Sequence, residues 1–577
     1  MGQKESSNNN NDTAGTDEPM RGAEIVLRCL EQHGVNTLFA YPGGASLELH
    51  QGLQDASMRI VLPRHEQGAA FEAGGYARAT GNVGVCMATS GPGATNLVTG
   101  ITDAYMDSVP LIAITGQVPQ HLIGKNAFQE TDIIGMTRPI VKHSYLVLKP
   151  EDIPTIMSEA FHLVQTGRPG PVVIDLPKDV QQKKCVPEFS TKVQMRSYRV
   201  NTEVSDAEID QVWEAIENSE RPCLYVGGGI LTSGAHEELR KFAETNRIPV
   251  VTTLMGIGAF PEDSELSMKW LGMHGTYYAN YAANECDLLL SLGVRFDDRV
   301  TGKVDTFASK AKIVHVDVDQ SEINKNKRAD IGINCDARSF LKRLNERKTA
   351  QDFSPWEEEL KRCRKKYPFT YKKRDKIQPQ YVIEKIYELT EGEAVVVPGV
   401  GQHQMWAGQF YHYRRPRQFL TSGGLGAMGF GLPAAIGAKI ACPDATVVNI
   451  DGDGSFQMNI QELATAHCEG VGVKSVILNN QHLGMVAQWE DRFYDSRRGN
   501  TLMHSIHVDR PYPNFKAIAG GYEVPAREVR KPEELEPALK EMLQVEGPFV
   551  VDVHIQYEEH VLPMIPSGGT YKDIMLE

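Results

Sequence analysis

Short runs of branched apolar residues alternate along this chain with amphipathic stretches, and each run ends in glycine, proline or small polar residues. Residues 22–33 (GAEIVLRCLEQH) carry apolar positions at helical spacing, and Val35–Ala40 reads as a strand leaving into Tyr41-Pro-Gly-Gly44. Ile60-Val-Leu62 is a second short strand. It leads through Pro63-Arg-His-Glu-Gln67 to a helix expected from Gly68. Val83–Ala88 ends in Thr89-Ser-Gly-Pro-Gly-Ala-Thr-Asn96, Leu111–Thr115 follows, and Pro171–Asp175 closes on Leu176-Pro-Lys178. Strands that alternate with helices and leave through Gly/Pro-rich turns predict doubly wound α/β domains, whose ligands lie beyond the carboxyl ends of the strands.

Residues 183–206 lack periodicity and read as a linker. A second α/β unit follows, with strands at Pro222–Val226, Pro249–Leu254, Leu288–Leu292 and Lys312–Val318. The turn Gly227-Gly-Gly229 is by itself ambiguous between a plain strand–helix turn and a nucleotide site. Met273-His274-Gly275, the stretch from Gly293 to Arg299 and the acidic strand end at Asp317 favour the second. Residues 346–378 form another boundary, where Lys361–Lys366 beside Glu357–Glu359 predicts a solvated helix face rather than a nucleic-acid patch. In the last unit Ala394–Val397 runs into Gly399-Val-Gly-Gln-His403, and Ser422–Met428 turns into a small-residue helix. The expected domains are therefore 20–185, 205–345 and 379–577, behind a polar, disordered tail at 1–19.

The most specific chemistry lies in the last unit. Strand Ala445–Ile450 ends in Asp451-Gly-Asp-Gly-Ser455, and strand Val473–Leu478 ends in Asn479-Asn480, 27 residues after Asp453. Asn459 with Glu462 three residues on suggests a capping box at the start of the intervening helix. A right-handed crossover would bring both strand ends to one sheet edge. There an Asp carboxylate and an Asn carboxamide are hard ligands for Mg²⁺, and Gly452 and Gly454 let the backbone approach a diphosphate. Either motif alone is a common turn; each after its own strand is far more specific. In the first unit the candidate catalytic group is Glu66. A carboxylate between a short apolar strand and a small-residue helix start gains proton affinity, although a first-turn Glu also simply complements a helix dipole.

Composition narrows the class. The chain has 577 residues, 41% hydrophobic and 23% charged, which suits a soluble multidomain protein. A net charge of −14 argues against nonspecific binding to nucleic acid or anionic membranes. The nine cysteines form no CxxC pair and suit a reducing compartment. Residues 1–19 resemble neither a signal peptide nor an Arg-rich transit peptide. Cytoplasm is therefore the simplest expected location, with a processed plastid or other organellar protein as the alternative.

The Asp453/Asn480 pair resembles the thiamine-diphosphate signature, and Arg64-His-Glu66-Gln-Gly68 resembles the same enzymes' catalytic-glutamate motif. YPGGAS (41–46), TSGPGATN (89–96), AFQET (127–131), RPGPVVIDLPKDV (168–180), GVRFDDR (293–299), NNQHLGMVAQWEDRFY (479–494) and HVLPMIPSGG (560–569) narrow this to the acetohydroxyacid synthase catalytic subunits, from Met20 to Glu577. Gly74, where that family commonly has Glu, and Lys125-Asn126 are departures.

The resemblance implies three cofactors. Thiamine diphosphate would meet Glu66 at its pyrimidine, with Gly426 and Met428 beneath it. Gln402, His403, Gly452, Gly454, Ser455, Gly484, Met485 and Val486 would meet its diphosphate. Mg²⁺ would be held by Asp453, Asn480 and the main-chain carbonyl of His482. FAD, doing no net redox work, would lie against Arg168, Gly227, Gly228, Gly229, Thr253, Leu254, Met273, His274, Gly275, Gly293, Arg295, Asp317 and Asp336. Gln129 and Lys178 are the further catalytic candidates. They line the substrate entrance with Phe128, and Arg299 and Trp489 would receive the second substrate. The implied reaction decarboxylates pyruvate and joins the two-carbon unit to pyruvate or 2-oxobutyrate. Glu66 and the diphosphate motif would meet across a two-fold homodimer or dimer of dimers, with a separate regulatory subunit. A flavin-dependent pyruvate oxidase would lack the Arg299/Trp489 pair, a glyoxylate carboligase would lack Glu66, and a non-catalytic homologue would have lost Glu66 or the metal pair.

Overall fold

In this computed structural model residues 18–189, 193, 195–508 and 510–576 are described. All but the last two residues of the expected tail at 1–19 lie outside them. Three parallel sheets organise the chain. The first runs in the order Arg59–Val61, Thr37–Ala40, Gly84–Ala88, Leu111–Gln117, Val172–Pro177, His143–Leu146. The second runs Ser267–Trp270, Val250–Thr252, Pro222–Val226, Leu288–Leu292, Lys312–Asp317, Ile331–Asn334. The third has five strands: Val395–Pro398, Val447–Gly452, Lys474–Asn479, Phe549–His554, Ala526–Val529. Central strands such as Val172–Pro177, Leu288–Leu292 and Val447–Gly452 are buried at every position, as sheets with helices on both faces require.

Numbered within its own unit, the second sheet has the order 3-2-1-4-5-6, the doubly wound arrangement of dinucleotide-binding folds. Its direction reverses between Pro222–Val226 and Leu288–Leu292, which are paired in register.

The first and third units meet along a helix crossing. Helix Glu66–Thr80 packs along Gly431–Ala441, and glycine on both partners allows it. A Cβ at Gly75 would lie 2.1 Å from the Ala434 carbonyl oxygen, and one at Gly437 would lie 1.9 Å from that of Glu72. Phe71 and Phe430 meet edge-on beside them, with centroids 5.5 Å apart.

Three expectations need correction. The Glu66 helix starts at Glu66 rather than Gly68, because the ring of His65 caps it by accepting the Gln67 N–H at 3.1 Å. Asn459 caps nothing: a helix already runs over Asp453–Met458, and the next begins at Glu462. The Asn459 carboxamide instead donates to the Gly429 carbonyl (2.8 Å) and to Gln67 of the first unit (3.1 Å). The stretch 183–206 is also more than a linker. Lys184–Cys185 pairs antiparallel with Met20–Arg21, Phe189, Met195 and Tyr198 pack on the first unit's core, and Ser205 caps helix Asp206–Glu217.

The basic run lies on helix Ser354–Lys366, where Glu357, Glu358 and Glu359 pair with Arg247, Lys361 and Arg221. No described helix is long and apolar enough to cross a membrane.

Candidate active site

Strand Val447–Gly452 delivers Asp453 to the carboxyl edge of the third sheet, and the neighbouring strand Lys474–Asn479 delivers Asn480 to the same edge. Asp453 is almost wholly buried and is reached by the backbone N–H of Gln481 and Gly454. Its Oδ2 has no hydrogen-bond partner among the described residues, and burial pushes its carboxyl group up to about 7. A buried carboxylate oxygen without a donor is costly unless a cation meets it. Asn480 follows the neighbouring strand: its amide donates to Gln402 Oε1 (3.2 Å), and its oxygen accepts the His482 N–H (3.0 Å). The His482 ring bonds back to the Asn480 carbonyl at 2.7 Å, which stiffens the loop. The donor set therefore fits a hard divalent cation that keeps places open for phosphate oxygens.

The walls around this edge are close. A Cβ at Gly484 would lie 2.1 Å from Gln402 Oε1, and one at Gly452 would lie 2.8 Å from His403 Nδ1. A Cβ at Gly454 would lie 2.8 Å from Leu483 and 3.6 Å from the Met428 methyl. Gln402 is fixed by Gln488 (2.9 Å), and His403 lies 3.3 Å from Asp451. Ser455 Oγ accepts the Gly429 N–H at 3.1 Å, next to Met428. Gly426 has φ +71°, a left-handed turn that glycine adopts without strain. Met485 is half-buried and Val486 exposed on the helix Gly484–Phe493.

Glu66 lies at the edge of the first sheet, buried, with Oε2 accepting the Asn96 amide at 2.9 Å. A Cβ at Gly93 would be 3.3 Å from its Oε1, so helix Pro92–Asn96 forms the wall beside it. The turn before that helix contacts the substrate segment, since a Cβ at Gly91 would lie 2.8 Å from the Gln129 carbonyl. Gln129 itself sits at φ +59°. Glu130 folds this segment by accepting the Ala127 N–H (2.9 Å) and that of Gly124, which leaves Phe128 88% exposed. Lys178 follows strand Val172–Pro177 at the same edge, half-buried. Arg299 is exposed beside Met273, with Nη1 3.9 Å from its sulfur, and borders a cavity of about 160 Å³ closed by residues 565–571. Trp489 packs edge-on against Phe493 at 5.6 Å.

In the second unit the predicted residues converge on the point where the sheet direction reverses. The Gly227 N–H donates to Leu292, and a Cβ on Gly227 would lie 2.1 Å from the Gly293 carbonyl. Gly228 abuts Met255, and Thr253 caps the turn Leu254–Gly256. Met273 accepts and donates along the segment that carries His274 and Gly275; its N–H reaches Arg299 and its carbonyl receives Ile565. Burial lowers the proton affinity of His274 to about 4 and raises that of Asp317 to about 7. Arg168 reaches this unit from the first, to Glu322 at 2.6 Å and Asp319 at 3.5 Å. Arg295 is half-buried, and its carbonyl accepts Asn326. Asp336 stands apart in role, because its side chain caps helix Ala337–Leu344 through the Ser339 N–H (3.0 Å).

Sequence reasoning gave no role to Asn96 or to Asp107, which binds Arg78 (2.9 Å) and the N–H groups of Gly423 (3.0 Å) and Gly424 (2.6 Å). Asn96 stood inside a quoted motif. Asp107 reads locally as a helix end and carries no signal.

These units correspond to known domains. Residues 20–136 match the thiamine pyrophosphate enzyme N-terminal TPP binding domain, 209–344 the central domain and 399–553 the C-terminal TPP binding domain. The fold and the three matches define a thiamine-diphosphate enzyme. The chain is 54% identical to acetolactate synthase 1, chloroplastic, of Oryza sativa subsp. japonica, covering 98% of this chain and 89% of that one. It is 54% identical to acetolactate synthase 3, chloroplastic, of Brassica napus, covering 97% and 87%. With acetolactate synthase, chloroplastic, of Arabidopsis thaliana the identity is 53%, covering 97% and 85%. The chain belongs to the acetolactate synthase family.

Proposed function

We propose that this chain is an acetohydroxyacid synthase catalytic subunit. It takes the two-carbon unit of pyruvate and joins it to pyruvate or 2-oxobutyrate, giving 2-acetolactate or 2-aceto-2-hydroxybutyrate in branched-chain amino-acid synthesis. The observation that carries this reading is the donorless Oδ2 of Asp453 at the sheet edge where Asn480 also lies, in a protein whose N-terminal unit presents a buried, oriented Glu66.

Thiamine diphosphate, when bound, supplies the carbon nucleophile and electron sink for decarboxylation. Asp453, Asn480 and the His482 carbonyl would hold Mg²⁺, and Gln402, His403 and the glycines at 452, 454 and 484 would wall the diphosphate. Glu66, oriented by Asn96, would exchange a proton with the cofactor. Met428 would serve as a flexible, polarizable support for it. Lys178 and Arg299 supply cations for the two substrate carboxylates, with Gln129 and Phe128 at the entrance and Trp489 shaping the second pocket.

FAD is proposed for the switch point of the second sheet. The 3-2-1-4-5-6 order and the Gly227–Gly293 contact, which any side chain would block, support it. A two-fold homodimer belongs to the same proposal: Glu66, held by Asn96 in the first unit of one copy, would act on a cofactor carried by the third unit of the other. A regulatory subunit and a plastid location, the latter favoured by the relatives' names, complete the proposal.

The test is to incubate the purified protein with pyruvate, Mg²⁺, thiamine diphosphate and FAD. Acetolactate should form with the wild type and collapse in Glu66→Gln. Acetyl phosphate or hydrogen peroxide in its place overturns the reading.

A further inference from the structure

Two acidic side chains outside the reacting groups meet where the first and third units cross. Glu72, on helix Glu66–Thr80, is completely buried, and among the described residues no donor reaches either of its oxygens. Glu462, which opens helix Glu462–Cys468, is also fully buried and lies within hydrogen-bonding reach of Glu72. Gly68, one turn before Glu72 on the same helix face, shows the approach: a Cβ there would lie 2.4 Å from Glu462 Oε1.

The two carboxyl groups have unlike surroundings. Glu462 accepts the Arg64 backbone N–H at both oxygens (3.1 and 3.0 Å) and the Thr465 hydroxyl at 2.6 Å, a setting that favours the anion. Glu72 has nothing comparable. Two touching anions, one without a donor, are too costly in a dry crossing, whereas a single proton between them removes one charge and gives the orphan a bond to make. The Arg64 N–H that Glu462 binds begins the turn that carries Glu66.

We propose that Glu72 remains protonated and donates that proton to the Glu462 carboxylate, making Glu72 a positioning residue that clamps the Arg64–Glu66 turn onto the third unit. Burial, followed by the charge of Glu462, raises the proton affinity of Glu72 well above the usual carboxylate range. The other charged groups that face the pair are Glu469, which opposes ionisation and is itself paired with Arg59, and Arg64, which favours it. Arg78, farther along the Glu72 helix, is engaged by Asp103 and Asp107, and Lys439 of the crossing helix by the carbonyls of Pro443 and Ala445.

The native state thus keeps a proton that the unfolded chain releases near pH 4.3, the ordinary Glu value. The stability from this pair is fully present below that pH and is lost as pH rises toward the native-state value. Gln at position 72 has no proton to lose and still offers an N–H to Glu462. The experiment follows the melting temperature of the full-length protein with thiamine diphosphate and Mg²⁺ from pH 6 to 9. The melting temperature of Glu72→Gln minus that of the wild type should rise steadily by several degrees, and the alkaline increase in the wild type's KM for thiamine diphosphate should flatten in the variant. Curves that stay parallel, separated by a constant offset, overturn the proposal. If Glu72→Gln does not fold, Glu462→Gln removes the neighbouring charge and lowers the proton affinity of the still-buried Glu72, so the alkaline loss must level off at a lower pH than in the wild type; an unchanged profile there overturns it equally.

Discussion

Glu66 and Asp453 occupy matching places in two sheets of the same design. Each follows a strand at a carboxyl edge and opens a helix, and each is at least nine-tenths buried. Their surroundings part them. Glu66 has a side-chain amide, Asn96, holding one oxygen. Asp453 has backbone N–H groups on one side and a bare oxygen on the other, with Asn480 at the end of the neighbouring strand. A carboxylate held at one oxygen can pass a proton at the other, whereas one left bare in a dry pocket requires a cation. On the proposed function, the same strand–turn–helix unit would yield a proton-transfer group in one domain and a metal anchor in the other, decided by what the adjacent loops donate.

Removing the anchor tests this most severely. Asp453→Ala should abolish activity and Mg²⁺-dependent cofactor binding together, as read by calorimetry, because it removes the one carboxylate in the proposed cation site. Glu66→Gln should leave Mg²⁺ and thiamine diphosphate binding measurable while lowering turnover about 10²–10⁴-fold, the usual contribution of a positioned acid–base group. If both variants lose binding equally, the two carboxylates do not have separate roles.

Fully buried parallel strands were legible because they read as unbroken apolar runs: the strand leading to Asp453 was read, and Pro222–Val226 and Leu288–Leu292 match their expected limits. Edges were not. His143–Leu146 and Ala526–Val529 show water one side and carry His, Ser, Arg and Glu, which hides them among loops. Phe549–His554 is central but holds Asp552 and His554, polar because Asp552 binds Asn479 (3.0 Å) behind the metal loop. Glu462 reads locally as a helix-start acid, and its real partner lies 398 residues away in sequence at the Arg64 N–H. Local pattern carries element type and motif. It carries no information about which distant backbone a buried carboxylate will meet.

Protons and Mg²⁺ should compete at Asp453 in a way they cannot at a solvated carboxylate. Burial raises this group to about 7, and the cation needs its ionised form. Below pH 7 the apparent Mg²⁺ affinity should weaken about tenfold per pH unit, with proton release on binding; above it the affinity should level off. Calorimetric titration in two buffers of different ionisation heat measures both. An affinity flat from pH 5.5 to 8 would mean that Asp453 is ionised throughout and already charge-compensated.

The smallest expected effect is also the most discriminating. Asn96→Ala removes the amide that holds Glu66 Oε2 but leaves the carboxylate in place. One hydrogen bond to a charged group contributes about 1.5–3 kcal/mol, so kcat/KM should fall by roughly ten- to a hundredfold. If Asn96 acts through Glu66, the loss must vanish in the Glu66→Gln background, since there is then no carboxylate to orient. Independent losses that multiply in the double variant would place Asn96 elsewhere in the reaction. Asp453 offers no such lever: its free oxygen has no protein side chain to delete, and its orientation is set by the backbone around Gln481 and Gly454. The carboxylate of Glu66 is thus open to tuning by single side-chain changes, while the carboxylate of Asp453, as the proposed metal anchor, could only be kept or lost.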